Sequence, residues 1–264
     1  MYRTGRIFWP LVLIAVGLLF LADQLSNGAF DAGAFIGSWW PLLIVGIGLA
    51  ILLESAWPGQ SAPDVPVSVD LGGTASGEVR IDFGAGRLEV GAAAAGKLVD
   101  GMLGGGGRVE SGGPGRVRLQ ADPSAWWSGR WPREGGFRWH VGIGQDIPVA
   151  LTVHTGASDN LLDLSKLRVM NLELHTGASE TRVILPEAAG STTVRVEAGA
   201  ASVRLHVPPG VAARMAGTMA LGAAHVDERR FPRAGGGWMS ADWASSANRV
   251  DISYQGGVGG LYVD

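Results

Sequence analysis

Two neighbouring stretches of the chain, LTVHTGASDNLLDL at Leu151–Leu164 and LELHTGASETRVIL at Leu172–Leu185, share the five residues HTGAS. A third stretch, VRVEAGAASVRLHV at Val194–Val207, aligns with both of them without gaps. The three copies are centred on glycines that lie 21 and 22 residues apart, namely Gly156, Gly177 and Gly199. Around each glycine, apolar and polar residues alternate, which is typical of strands with one buried face.

Weaker copies of the same pattern occur at Val79–Val90, Met219–Glu228 and Ile252–Val263. We assign their turn glycines as Gly84, Gly222 and Gly257. A repeat of this length is too short to bury its own apolar face, so neighbouring copies must stack to form a core. The sequence therefore predicts an all-β, β-solenoid-like stack of strand–Gly turn–strand units, with glycine at the turn because it turns tightly without strain.

The alternation also predicts which side chains point into the core of this stack. They are the apolar members of the three best copies: Leu151, Val153, Leu164, Leu172, Leu174, Val183, Leu185, Val194, Val196, Val203, Leu205 and Val207. The intervening polar side chains should then form outward columns, one of which contains His154, His175 and Glu197.

The composition excludes several classes of protein. Glycine is abundant, with 42 residues, but it has no three-residue period, and a hydrophobic share of 47% is too high for a disordered linker. The formal net charge of −3 gives no electrostatic basis for binding nucleic acid. The chain has no cysteine, which excludes disulfides, a thiol nucleophile and cysteine-based zinc sites.

Two uncharged apolar segments, IFWPLVLIAVGLLFL at Ile7–Leu21 and WWPLLIVGIGLAILL at Trp39–Leu53, precede the repeats. With their apolar flanks they approach the ~17–20 residues that cross a bilayer. A signal peptide is the alternative for the first segment, but Asp23 and Gln24 follow it instead of a small-x-small cleavage site. We predict a transmembrane hairpin over residues 1–54, a linker over 55–66 and a β-repeat domain over 67–264.

The distribution of basic residues predicts the topology. Arg3 and Arg6 precede the first segment, whereas the loop of residues 23–38 has neither lysine nor arginine. By the positive-inside rule, the N-terminus is cytoplasmic, and two crossings return the β-repeat domain to the cytoplasm. The expected location is the bacterial cell membrane.

Three features together resemble LiaF-like membrane proteins. Both apolar segments begin with Trp-Pro-Leu, at Trp9 and Trp40, the repeats resemble a toast-rack domain, and the chain ends in ADWASSANRVDISYQGGVGGLYVD at Ala241–Asp264. The resemblance implies a membrane-anchored, non-enzymatic regulator of a cell-envelope stress response, with the lipid bilayer and a membrane sensor kinase as partners. It implies no cofactor.

The HTGAS pair also permits two chemical interpretations. An aspartic protease needs two carboxylates that share a proton, but His154 and His175 occupy that place, and the third copy reads EAGAA. A zinc ion could be held by His154, His175 and Glu197 if the copies stack about 4.8 Å apart. The alternative for this column is a solvated row of polar side chains, and we predict no catalytic residue, no cofactor and no metal ligand.

The segment SAWWSGRWPREGGFRWH at Ser124–His140 interrupts the repeats with tryptophan and arginine. Such residues are favoured in protein interfaces and at membrane surfaces, although they could equally cap one end of the stack. The candidate contact residues are Trp126, Trp127, Arg130, Trp131, Arg133, Arg138 and Trp139. The predicted function is a membrane-anchored interaction protein, and the alternative is a self-assembling scaffold, a homo-oligomer, or less favourably a domain that binds a metal or small ligand.

Overall fold

The structure is a computed structural model that describes residues 64–122 and 137–264, and these residues belong to one compact unit. They form thirteen strands: β1 Val65–Asp70, β2 Gly77–Ala92, β3 Lys97–Leu103, β4 Arg108–Ser111, β5 Arg116–Gln120, β6 Arg138–Ile143, β7 Val149–Asp163, β8 Val169–Ile184, β9 Ser191–His206, β10 Ala212–Val226, β11 Arg233–Ala234, β12 Gly237–Met239 and β13 Arg249–Val263. The strands make a single mixed sheet. The prediction of an all-β domain is confirmed, and its first strand begins two residues before the predicted start.

Six strands of 15 or 16 residues form the body of the sheet. They lie in the order β2-β7-β8-β9-β13-β10, and every neighbouring pair among them is parallel. The last strand of the chain is thus placed between β9 and β10. The stacking of repeats is confirmed, but the stack does not follow chain order at this end.

Five of the six long strands, β2, β7, β8, β9 and β13, change the pattern of their buried positions once, near a central glycine, where the strand bends. In β7 the buried side chains are those of Val153 and Thr155 before the bend, and those of Asn160 and Leu162 after it. The buried residues thus have odd numbers before the bend and even numbers after it. This change means that the strand turns and that one of its sides continues to face the core. We call the parts before and after the bend the first arm and the second arm. The predicted unit is therefore a single bent strand rather than two strands joined by a turn.

The core lies between the two arms of the stacked strands. All twelve side chains that the alternation predicts as inward are 0% exposed in the structure. Burial of apolar surface stabilises a fold by about 25 cal/mol per Å², and each of these side chains packs against the copies above and below it. The prediction of the inward face is confirmed in full.

The bend glycines form a column because the backbones approach closely there. A Cβ on Gly156 would lie 2.3 Å from the carbonyl oxygen of Gly84, and a Cβ on Gly177 would lie 2.9 Å from that of Gly156. The same distance is 2.9 Å from Gly199 to Gly177 and 2.7 Å from Gly257 to Gly199. Glycine is required at these four positions by the lack of space for a side chain. A left-handed backbone, the reason expected from the sequence, is not found at Gly156, Gly177 or Gly199.

Gly222 does not occupy the glycine column. It pairs with Gly259, and both residues have a positive φ, 146° and 138°. The column position of β10 is Ala220, which lies between the pairs Met219–Gly256 and Leu221–Val258. The sequence alignment of this copy was therefore wrong by two residues, because a glycine-rich stretch offers more than one way to match a single glycine.

One end of the stack is built from strands that interrupt the repeat. β5 is parallel to the first arm of β2, and β6 is parallel to its second arm. β5 and β6 thus correspond to the two arms of one further bent strand. Along the chain, the tryptophan-rich segment lies between these two strands.

At the other end, the strands of the described residues cover β10 over part of its length only. β12 pairs antiparallel with Arg214 and Met215, and β11 pairs with β12. The two predicted transmembrane segments lie outside the described residues. Within the described part of the chain, no helix is long and apolar enough to span a membrane.

Candidate functional site

The predicted outward column is present on the first arms of the strands. Asp82 pairs with His154, His154 with His175, His175 with Glu197, and Glu197 with Gln255. The column faces outward because each of its members alternates with buried residues of its own strand. Five neighbouring strands therefore bring two imidazoles and two carboxylates, together with an amide, into one row.

The two imidazoles contact each other and each has an acidic neighbour. The ring centroids of His154 and His175 are 4.5 Å apart. Nδ1 of His175 is 3.0 Å from Oε2 of Glu197, whereas Nδ1 of His154 is 3.8 Å from Oδ1 of Asp82. His175 thus has a close acidic neighbour in Glu197, and His154 has a more distant one in Asp82.

Asp82 connects this row to two guanidinium groups. Nε of Arg80 donates to Oδ1 of Asp82 at 3.0 Å, and Nε of Arg118 donates to Oδ2 at 2.6 Å. Partial burial is the largest cause of a lowered pKa for His154, and the positive charges of Arg80 and His175 lower it further. His154 therefore favours its neutral form.

These distances do not make a metal site. Among residues 64–122 and 137–264, no three histidine or acidic side chains converge in a way that could hold a metal ion. The Nδ1 atom of His175 is engaged with Glu197, and the planes of the two imidazoles are tilted by 53° relative to each other. The arrangement is that of a hydrogen-bonded polar row.

The row forms one wall of an open groove of about 640 Å³. The other wall follows the bends and is lined by small residues: Gly177, Ala198, Gly199, Ala220, Gly256 and Gly257. Of these, Gly177, Gly199 and Ala220 are exposed. The groove combines exposed backbone with imidazole and carboxylate groups. Such a surface can accept hydrogen bonds and contacts from a polypeptide, and it crosses several repeats.

A second cavity, which the sequence reasoning missed, lies at the β10 end of the core. It has a volume of about 150 Å³ and is predominantly apolar, and its lining includes Met219, Ala224, Val226, Trp238 and Tyr254. Burial raises the pKa of the Tyr254 phenol. The sequence did carry a signal, because MALGAAHV at Met219–Val226 lacks any Asp, Glu, Lys or Arg.

The outer surface beside this cavity is apolar as well. Leu221 is 69% exposed and Val258 is 55% exposed, and the two are paired on neighbouring strands. The rings of His225 and Tyr262 stack with centroids 5.0 Å apart. Leu221 and Val258 thus form a small exposed apolar patch at this end of the sheet.

The structure divides the predicted tryptophan-rich contact set. Trp126, Trp127, Arg130, Trp131 and Arg133 lie outside the described residues. Arg138 is exposed on β6, which fits a contact role. Trp139, in contrast, is 0% exposed, and its ring centroid is 5.1 Å from that of Phe83. The prediction of Trp139 as a surface contact was wrong, because the alternation of β6 directs this side chain into the core.

Comparison with known proteins yields two family matches. The model of the N-terminal domain of toast_rack, DUF2154, matches residues 58–206. The model of the LiaI-LiaF-like transmembrane region matches residues 7–52. Among curated proteins, none matches the sequence. The two matches adjoin each other along the chain and cover the apolar segments and most of the repeats.

Among solved structures, a candidate cell adhesion protein from Clostridium sporogenes is similar, with a TM-score of 0.66 and 17% identity, over 76% of this chain and 98% of that chain. At this identity the similarity shows a shared fold and nothing about activity. A candidate adhesin from Bacteroides fragilis matches with 10% identity over 78% of this chain and 100% of that one, but its TM-score of 0.22 carries no argument.

Proposed function

Because this chain belongs to the toast_rack family, and its N-terminal region matches the LiaI-LiaF-like transmembrane region, we propose that it is a membrane-anchored interaction protein that modulates a cell-envelope stress response. The membrane anchor itself follows from the family match. The regulatory role, the partner and the cytoplasmic position of the β-repeat domain are parts of the proposal. The partner is a membrane protein of the stress response, such as a sensor kinase.

The observation that carries the proposal is the groove beside the His154–His175 row. It runs across neighbouring repeats, and it is lined by accessible backbone and by groups that both donate and accept hydrogen bonds. A long, shallow surface on a rigid stack is the kind that repeat proteins use to bind other proteins. The Glu197 side chain, between His175 and Gln255 in this row, is half-exposed, so a partner can reach its carboxylate.

The tryptophan-rich segment supplies a second contact in this proposal. Gln120, which precedes this segment in the chain, pairs with Asp82, the first member of the row. Trp126, Trp127, Arg130, Trp131 and Arg133 are the contact residues proposed within the segment, and exposed Arg138 lies near its C-terminal end. Tryptophan and arginine contribute most to binding where they become buried against a partner.

The test is crosslinking in native membranes, with a photoreactive residue placed at Gln255 in the groove or, as a control, at Arg182 on the second arms. The proposal expects the groove position to crosslink a membrane protein that the control position does not reach. It also expects deletion of the chain to change an envelope-stress reporter, with full restoration by the wild-type chain and partial restoration by Glu197→Lys. Unchanged reporter activity after deletion, together with no groove-specific crosslink, would refute the proposed function.

A topology reporter fused after Asp264 tests the location of the domain separately. The proposal expects activity from a reporter that works in the cytoplasm, because two crossings return the chain to that side. Activity only from a reporter that works outside the membrane would overturn the cytoplasmic assignment and would restrict the partners to extracytoplasmic ones.

A further inference from the structure

β10 leaves part of one edge without a partner strand. Residues 217–226 pair with β13 on one side, and in the described part of the chain no strand pairs with them on the other side. Free strand edges are usually protected by charge or proline. The outer strand β1 contains Pro66, and β4 contains Arg108 and Glu110, whereas residues 217–226 contain no proline and no Asp, Glu, Lys or Arg.

The backbone groups that face this free edge can be assigned from neighbouring hydrogen bonds. In the first arm, the N–H of Ala213 donates to Oγ of Ser240, and its carbonyl accepts from the N–H of Ser240. Alternate residues present their groups to the same side, so Gly217 and Met219 face the free edge. In the second arm, the N–H of Asp227 donates to Val263 of β13, so Ala224 and Val226 face the free edge.

This pattern makes the edge complementary to itself. A two-fold axis that passes through the bend, between Leu221 and Gly222, would set the edge antiparallel to that of a second copy. Gly217 would then lie opposite Val226 of the second copy, and Met219 opposite Ala224. Both members of each pair present backbone groups to the free edge, as an antiparallel hydrogen-bonded pair requires, and all four residues line the apolar cavity. The change from odd to even positions at the bend is what allows this register.

We propose that residues 217–226 are the interaction surface for a second copy of this chain, which pairs with them as an antiparallel strand. The axis lies on the bend, so the first arm of one copy meets the second arm of the other and the two bends coincide. The pairing joins the sheets of the two copies into one continuous sheet. β12, which ends beside Met215, lies at the outer limit of the paired region in each copy.

The side chains around the axis support a second copy as the occupant. Met219 and Ala224 both line the apolar cavity at the end of the core, and in the pair each faces the other across the interface. The cavity is then closed by the same residues of the second copy. On the outer face, exposed Leu221 and Val258 lie next to the axis, so two copies bring four apolar side chains together. Because residues 217–226 contain no Asp, Glu, Lys or Arg, two identical edges meet without charge repulsion between such residues.

This inference is independent of the proposed stress-response role, because the pairing requires only the β10 edge. It also specifies how copies of the chain associate in the self-assembling alternative. A two-fold pairing of like edges closes after two copies, whereas a scaffold of unlimited length requires contacts between unlike surfaces.

Disulfide crosslinking tests the register directly, because the chain has no cysteine of its own. Thr218 and His225 point outward, and the register sets them opposite each other in a non-hydrogen-bonded pair, whose Cα atoms are about 4.5 Å apart and within the range of a disulfide. Two full-length chains with different tags, one carrying Thr218→Cys and the other His225→Cys, are expressed together and oxidised in native membranes. The matched control combines Thr218→Cys with Ala223→Cys, a pair offset by two residues and about 7–8 Å apart.

We expect a crosslinked product containing both tags, at a yield at least about tenfold above that of the offset control. Ala224→Pro should abolish it, because proline removes an N–H on the free edge while sparing the hydrogen bonds to β13. A monomer by sedimentation in detergent without any crosslink, equal yields for the two cysteine pairs, or a crosslink that persists in a folded Ala224→Pro variant would each overturn the proposal.

Discussion

The carbonyl oxygen of Gly156 lies 2.9 Å from the position that a Cβ would take on Gly177. Real Cβ atoms essentially never approach another atom so closely, and the atom they would meet here is backbone, which cannot rotate away. The same close approach recurs from Gly199 to Gly177 and from Gly257 to Gly199. The bend of each repeat is thus determined by its neighbour in the stack rather than by the conformational preference of its own residues.

Gly177→Ala should therefore destabilise the domain. The added methyl group must push two backbones apart at a column that continues on both sides, and forcing extra volume into a packed site costs about 1–3 kcal/mol. The measurement is urea unfolding of the full chain in detergent, followed by tryptophan fluorescence.

Gly91→Ala is the matched control for this prediction. Gly91 also lies in a long strand, but a Cβ there would meet nothing within 4 Å, and its φ is not in the left-handed region. The substitution should leave the free energy of unfolding unchanged or raise it by up to about 1 kcal/mol, because it restricts the unfolded chain. Equal losses for Gly91→Ala and Gly177→Ala would contradict the role given to the glycine column.

The groups around His154 predict a loss of stability in acid. Partial burial is the largest cause of the lowered pKa of His154. The positive charges of Arg80, His175 and Arg118 lower this pKa further, and the carboxylate of Asp82 opposes them only in part. A histidine whose pKa is lower in the folded state than its unfolded value of about 6.5 binds protons more readily when unfolded. Its contribution to stability is present above pH 6.5 and is lost as the pH falls through the window below that value.

The check is the free energy of unfolding between pH 8 and pH 5 in the wild type and in His154→Gln. The variant should show a smaller loss of stability in acid, because it has no imidazole to protonate at this position. A pH dependence that is identical in the two chains would mean that His154 does not contribute.

The repeat period, the inward face and the polar row could be predicted because they are local. Leu151 and Val153 alternate with polar residues within a few positions, and the alignment of His154 with His175 follows from an ungapped match. The position of β13 could not be predicted in this way. The repeat copies that form β13 and β10 both show apolar alternation and glycines. Which of these two strands lies beside β9 depends on contacts between residues that are distant in sequence.

Trp139 was predicted as a surface contact from the tryptophan-rich composition around it, whereas the alternation of its own strand predicts that it is buried. It was grouped with nearby tryptophans, yet the run RWHVGI at Arg138–Ile143 alternates in the manner of a strand and places Trp139 on the same side as Val141 and Ile143. The tryptophan-rich composition ends at the base of β6, where the repeat pattern resumes.

The burial of Trp139 predicts a large effect of its removal. Trp139→Ala should lower the free energy of unfolding by about 3–5 kcal/mol, as expected for a large aromatic side chain lost from a core. Trp139→Phe should cost less, because it retains an aromatic ring against Phe83 and because the indole Nε1–H has no hydrogen-bond partner to lose. Chemical unfolding followed by circular dichroism measures both. If Trp139→Ala left the free energy of unfolding unchanged, Trp139 would instead be exposed at the surface.

Inside the bends of β7 and β8, Nδ2 of Asn160 donates to Oγ1 of Thr181 at 2.9 Å, and both residues are 1% exposed. On either side the same row is apolar, with Leu88 paired to Asn160 and Val203 paired to Thr181. Thr181→Val alone should cost about 1–3 kcal/mol. It removes the closer acceptor of a buried amide whose Oδ1 is already unpaired, and it leaves Nδ2 with only the longer bond to Oγ1 of Thr155 at 3.4 Å.

The double variant Asn160→Leu/Thr181→Val should recover most of that loss, because it makes the row apolar from Leu88 to Val203 and leaves no unpaired amide. A double-mutant cycle of unfolding free energies, with Asn160→Leu as the second single variant, measures the coupling. If the losses of the two single variants simply add in the double variant, the hydrogen bond does not couple the two residues. The buried amide would then be retained for some interaction other than its bond to Thr181.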